Sequence, residues 1–158
     1  MDEATGGEHY QPLFDPDAAG MIAVGIDVIE IARIERSLRD FGDRFLRRIY
    51  TERERERYGG RVPELAARFA GKEATSKALG TGIRGIRWRE MEILANGRGK
   101  PVLVLHGGAA TRAARLGLIG FDVSLTHSRT EAMAFVVAVR GGTHGLAVGR
   151  ARDEGDRG

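Results

Sequence analysis

A chain of 158 residues, 42% of them apolar, has room for one modest core. With no cysteine it holds neither disulfides nor thiolate metal centres, and its longest apolar candidate, Met21 to Ala32, is too short for a bilayer and contains Asp27 and Glu30. The net charge of +3 is uneven: residues 1–20 carry five acids and no Lys or Arg, leaving a basic body that points to an anionic partner.

Residues 1–20 lack periodicity and read as a loose acidic leader. They place no basic segment before an apolar one, so no secretory signal is expected, and a cytoplasmic location is compatible with the missing cysteines. Met21–Val28 reads as a buried strand, running into a helix over Glu30–Phe41 and a short helical piece over Arg44–Tyr50. Thr51 and Glu54 form a capping box for a helix through Tyr58, stopped by Gly59-Gly60. Pro63 suits the first residue of a long helix ending near Leu79, with Gly80 as its C-cap.

Trp88–Leu94 reads as a strand, Asn96–Pro101 as a turn, and Val102–Leu105 as the returning strand of a hairpin. Ala109–Leu116 is a short helix, followed by a second hairpin of Phe121–His127 and Ala132–Val139. Residues 141–158, rich in Gly and charge, read as a disordered tail. Mixed helices and mainly antiparallel strands predict one α+β domain over residues 21–140, with a long helix packed on the sheet.

Two carboxylates stand inside apolar elements, where an unpaired charge is costly to desolvate. Asp27 ends Val24-Gly25-Ile26-Asp27, where capping the next helix is its plainer role. Glu73 follows Ala66, Phe69 and Ala70 on one helical face, and Lys77 lies one turn further on. A simple Glu-to-Lys helix pair explains that spacing, but a divalent cation would explain both acids together. His127 falls on the face of Phe121, Val123 and Leu125, so it reads as a satisfied core histidine or as a donor to a phosphate or ribose oxygen.

Some patterns are decoys. Gly80-Thr81-Gly82-Ile83-Arg84-Gly85 spells a dinucleotide fingerprint, but it closes a helix where that motif must open one. Gly97-Arg98-Gly99-Lys100 resembles part of a phosphate loop, yet Pro101 stands where a metal-binding hydroxyl belongs. The arginines at 33, 36, 39, 44, 47 and 48 form either a solvated face or a docking surface for an acidic partner. A basic nucleic-acid-binding module without catalysis is the alternative function, though no aromatic platform accompanies these arginines.

Four stretches in order resemble the holo-acyl-carrier-protein synthase family, the small trimeric class of phosphopantetheinyl transferases. They are Gly25-Ile26-Asp27, Arg68 to Gly82, Gly99-Lys100-Pro101, and Val123 to Ser128. The resemblance implies the 4'-phosphopantetheinyl transferase-like fold, with Asp27 and Glu73 as magnesium ligands and Lys77 as a further catalytic cation. It implies that Lys77, Arg68, Gly80, Pro101 and His127 surround coenzyme A. Arg33, Arg44 and Phe45 would dock an acidic acyl carrier protein, and a homotrimer would carry active sites between subunits. Neither nucleic acid nor membrane is implied as a partner. Glu131 and Arg98 depart from the family's usual tyrosine and asparagine at those places.

Overall fold

The computed structural model describes residues 21–141; the leader, and the tail beyond Gly141, lie outside the described residues. Strand β1 (Ile22–Glu30) leads directly into helix α1 (Ile31–Ile49), and α2 (Glu52–Tyr58) and α3 (Val62–Ala78) follow. A single 3-10 turn (Trp88–Glu90) precedes a hairpin of β2 (Met91–Ala95) and β3 (Pro101–Leu105). Helix α4 (Gly107–Arg115) then leads to β4 (Leu118–His127) and β5 (Glu131–Arg140). Two antiparallel sheets result, β1-β5-β4 and β2-β3, giving the expected α+β class.

Helix α3 lies across one face of the three-stranded sheet and is the centre of the molecule. From Leu65 to Ser76 every residue except Glu73 is buried, so the helix is enclosed on nearly all sides. The single apolar stripe expected from spacing understates this burial. A run rich in alanine permits it, because small side chains let sheet and hairpin approach the helix together. The closest approach is at Gly25, where an added Cβ would stand 1.8 Å from the Ala74 carbonyl oxygen. Only glycine fits there.

Several boundaries follow the sequence chemistry. Thr51 accepts from the Glu54 N–H while the Glu54 carboxylate accepts from the Thr51 N–H, completing the capping box. At the end of α3 the cap is Leu79, and Gly80 follows it in the left-handed region at φ 67°. Thr81 N–H then donates to Ser76 O and Gly80 N–H to Lys77 O, satisfying the last carbonyls. Helix α1 is broken at Gly42 (φ 49°, ψ −130°), which divides it where the two helical pieces were expected.

Three expectations are corrected. β1 is not buried: Ile22, Val24, Ile26 and Val28 are 51–56% exposed, because α3 covers one face and the period of two sends these to the other. Trp88 lies in the 3-10 turn rather than a strand, with its ring stacked on Phe69 at 4.6 Å between centroids. His127 is exposed at the end of β4, its Nδ1 3.3 Å from Ser128 O, so it is not a core histidine.

A polar buried centre went unread in the sequence. Lys72 and Glu54 are both fully buried, with Lys72 Nζ donating to Glu54 Oε2 at 2.8 Å, Met91 O at 2.6 Å and Trp88 O at 3.1 Å. The other Glu54 oxygen accepts from Ile93 N–H at 2.9 Å. The capping glutamate of α2 thereby also anchors α3 and β2.

Candidate active site

β1 and α3 build the site from opposite sides. On β1 the face toward α3 carries Ala23, Gly25, Asp27 and Ile29, and the glycine lets the helix come close enough for Asp27 to meet it. Asp27 is mostly covered, with 18% of its side chain exposed. Lys77 reaches across from α3: its Nζ donates to Asp27 Oδ1 at 2.9 Å and to Ile26 O at 2.7 Å.

Glu73 lies one turn before Lys77 on the same helix. Burial raises its carboxyl above the ordinary value, and the negative charge of Asp27 raises it further. Lys77 and Arg33 act in the opposite direction. Two carboxylates therefore share one electrostatic neighbourhood, with one more desolvated than it prefers. Hard oxygen donors in that state fit a divalent cation, which would offset the repulsion between them. Among the described residues no third metal-binding side chain joins them.

The residues expected around coenzyme A fall into two groups. Arg68, Pro101 and His127 line one shallow cavity of about 140 Å³, together with Glu64, Gly99 and Leu125. Lys77 stands nine residues beyond Arg68 along α3, about 13 Å of helix rise away. Gly80 is a turn further still, near the Arg112 guanidinium. The single chain does not gather all five.

Arg68 is more committed than the sequence implied. Its guanidinium lies 3.3 Å from the Tyr58 ring centroid, and it donates to Ile93 O and Glu64 O. The turn beside the cavity is held by Asn96, whose Oδ1 accepts from the Arg98 and Lys100 N–H groups. Lys100 is paired with Asp122, and that partnership holds the exposed Asp122 carboxyl below its usual range.

The expected docking residues do come together. Arg33, Arg44 and Phe45 line a groove of about 360 Å³ with Ile34, Phe41, Arg48, Phe69 and Trp88. Since the charge of Arg33 reaches Glu73, the groove and the carboxylate pair are neighbours.

This fold and site define a class. The chain belongs to the 4'-phosphopantetheinyl transferase superfamily, whose family model matches residues 23–137. Within that class its similarity is to holo-[acyl-carrier-protein] synthases. The protein of that name from Herpetosiphon aurantiacus is 46% identical over 126 residues, covering 75% of this chain and 99% of the relative. The Bacillus anthracis holo-(acyl-carrier-protein) synthase, solved in complex with CoA (3',5'-ADP), superposes with TM-score 0.64 at 37% identity, covering 77% of this chain and all of that one. The Helicobacter pylori synthase in complex with coenzyme A gives TM-score 0.67 at 29% identity, over 73% of this chain and 98% of that one.

Proposed function

We propose that this chain transfers the 4'-phosphopantetheine group of coenzyme A to a serine of an apo acyl carrier protein, releasing 3',5'-ADP. One observation carries the reading: Asp27, Glu73 and Lys77 converge where β1 meets α3, beside a basic groove. The serine oxygen bonds to the β-phosphorus of coenzyme A as the bond to the departing 3',5'-ADP breaks, and the serine proton passes to a base. The transferase unit is residues 21–140.

Magnesium, held by Asp27 and Glu73, supplies Lewis-acid charge at the pyrophosphate when bound. The chain's own contribution is to position and neutralise. Lys77 leaves its contact with Asp27 to meet phosphate oxygens, adding a cation where negative charge develops. Arg68, Pro101 and His127 receive the nucleotide end of coenzyme A, and His127, exposed and lightly held, is free to donate to it. Arg33, Arg44 and Phe45 seat an acidic carrier so that its serine faces the carboxylate pair.

The working form is a homotrimer. Ile22, Val24, Ile26 and Val28 of β1 and Met133, Phe135 and Val139 of β5 make an exposed apolar sheet face, the kind of surface through which copies associate. Assembly through this face also answers the separation of the two groups of coenzyme A residues, since a neighbouring copy brings its nucleotide cavity toward this chain's carboxylates. The reaction belongs to fatty acid or polyketide biosynthesis in the cytoplasm.

Incubation of the full chain with coenzyme A, magnesium and an apo carrier protein tests the function. The expected result is a carrier heavier by one phosphopantetheine, read by intact-mass spectrometry. Carriers of both biosynthetic types remaining at their original mass would refute it.

A further inference from the structure

A second basic concavity adjoins the docking groove and has no part in the reading above. It measures about 450 Å³ and is lined by Arg47, Arg48, Arg87 and Arg89 around a floor of Ile83, Ile86 and Trp88. Arg47 is bridged to Asp43, but among the described residues no carboxylate lies within salt-bridge distance of Arg48, Arg87 or Arg89. No acid lines the concavity. Arg48 and Trp88 line both grooves, so the two form one continuous surface across α1 and the 3-10 turn.

We infer that this Arg48–Arg87–Arg89 groove is a second contact for the acidic carrier protein, one that selects for acidic residues flanking the segment seated on α1. The inference rests on the carrier-docking reading of the first groove. Three unpaired guanidiniums around an apolar floor suit a protein surface that carries carboxylates at its rim and an aliphatic residue at its centre. Nucleic acid is the poorer fit. The one aromatic ring here is already stacked on Phe69, and a single ring makes no platform for successive bases. None of these arginines falls within the stretches that carry the family resemblance.

The test uses the full chain with Arg87→Glu and Arg89→Glu combined, beside Arg87→Lys with Arg89→Lys. The charge reversal is expected to raise the KM for carrier about tenfold and flatten its dependence on salt, while kcat and the KM for coenzyme A change by less than about twofold. The lysine pair should keep most of the affinity, which a merely structural role would not predict. An unchanged carrier KM in the charge-reversed chain overturns the inference. So does a KM change that disappears once residues 1–20 are removed, because the groove's occupant is then the chain's own acidic leader. Calorimetric titration with carrier separates the two readings. Arginine-dependent binding without modification sinks the transferase assignment alone, and modification with unaltered KM sinks the groove alone.

Discussion

Lys77 Nζ stands 2.9 Å from Asp27 Oδ1 although 50 residues separate them in the chain. The contact spans the β1–α3 boundary at the level where Glu73 is raised, first by burial and then by the charge of Asp27. One lysine therefore already occupies the cationic position that two carboxylates create.

Removing either carboxylate should abolish turnover while leaving the fold intact. Asp27→Asn and Glu73→Gln are each expected to lower kcat by roughly a thousandfold, the scale of several kcal/mol of lost transition-state charge stabilisation. Steady-state kinetics on carrier modification, with circular dichroism as a folding control, checks this. Full activity in Glu73→Gln would refute its role. Lys77→Ala should act mainly on the KM for coenzyme A.

Metal affinity should depend on pH through Glu73. Its carboxyl is raised above the ordinary 4.5, first by burial and then by Asp27. The folded chain thus favours the neutral form: it carries no penalty below the ordinary value, and it loses stability as pH climbs through the raised one. A divalent ion needs the charged form, so magnesium should bind progressively more weakly as pH falls through the same window, releasing a proton on binding. Calorimetric titrations in buffers of different ionisation enthalpy measure that proton, and Glu73→Gln should eliminate it.

Gly25→Ala should damage activity more than its single methyl suggests. The new Cβ would collide with the Ala74 backbone carbonyl, which cannot rotate away, forcing β1 and α3 apart. Overpacking of this kind costs about 1–3 kcal/mol or more. Urea unfolding should register that loss, and residual activity should fall further still because Asp27 moves away from Glu73. A stable, fully active alanine variant would contradict the close-approach account.

The Lys72–Glu54 pair should behave as one unit. Glu54→Gln or Lys72→Met alone leaves an uncompensated buried charge, for an expected loss of about 3–5 kcal/mol. Removing both is expected to cost less than the sum, and a double-mutant cycle in chemical denaturation reads the coupling.

Val24→Asp or Phe135→Asp should yield a folded monomer, because each charge lands on the exposed sheet face. Light scattering should show the mass fall to that of one chain, with turnover lost and the circular dichroism spectrum kept. A trimer that persists in both variants would place the assembly elsewhere.

Much of this was legible because local chemistry wrote it. Thr51 with Glu54, Gly80 after Leu79, and Gly42 within an otherwise helical pattern each announce their geometry within a few residues. Asp27 and Glu73 were legible as anomalies, acids set among apolar neighbours. What was not legible is what depends on partners far along the chain. Nothing near Lys72 says that its carboxylate lies 18 residues back. A β1 rich in Ile and Val on both sides of its pleat suggests burial on both faces, whereas among the described residues only one has a covering element. Periodicity set His127 on the right face of β4 but could not reveal that the strand ends in an open cavity. Arg68 reads as a free cation until Tyr58 is seen beneath it.

The left-handed residue in α1 has a shape consequence. An unbroken helix presents only a convex ridge, which an incoming helical partner touches along a line. With Gly42 turned out of helical geometry, the limb bearing Arg33 and Ile34 and the limb bearing Arg44, Phe45 and Ile49 line the same hollow. Any residue with a side chain at 42 would be strained at that φ, and a straightened rod would erase the hollow while keeping every arginine. The shape of this hollow depends on one residue's freedom to bend as much as on the side chains around it.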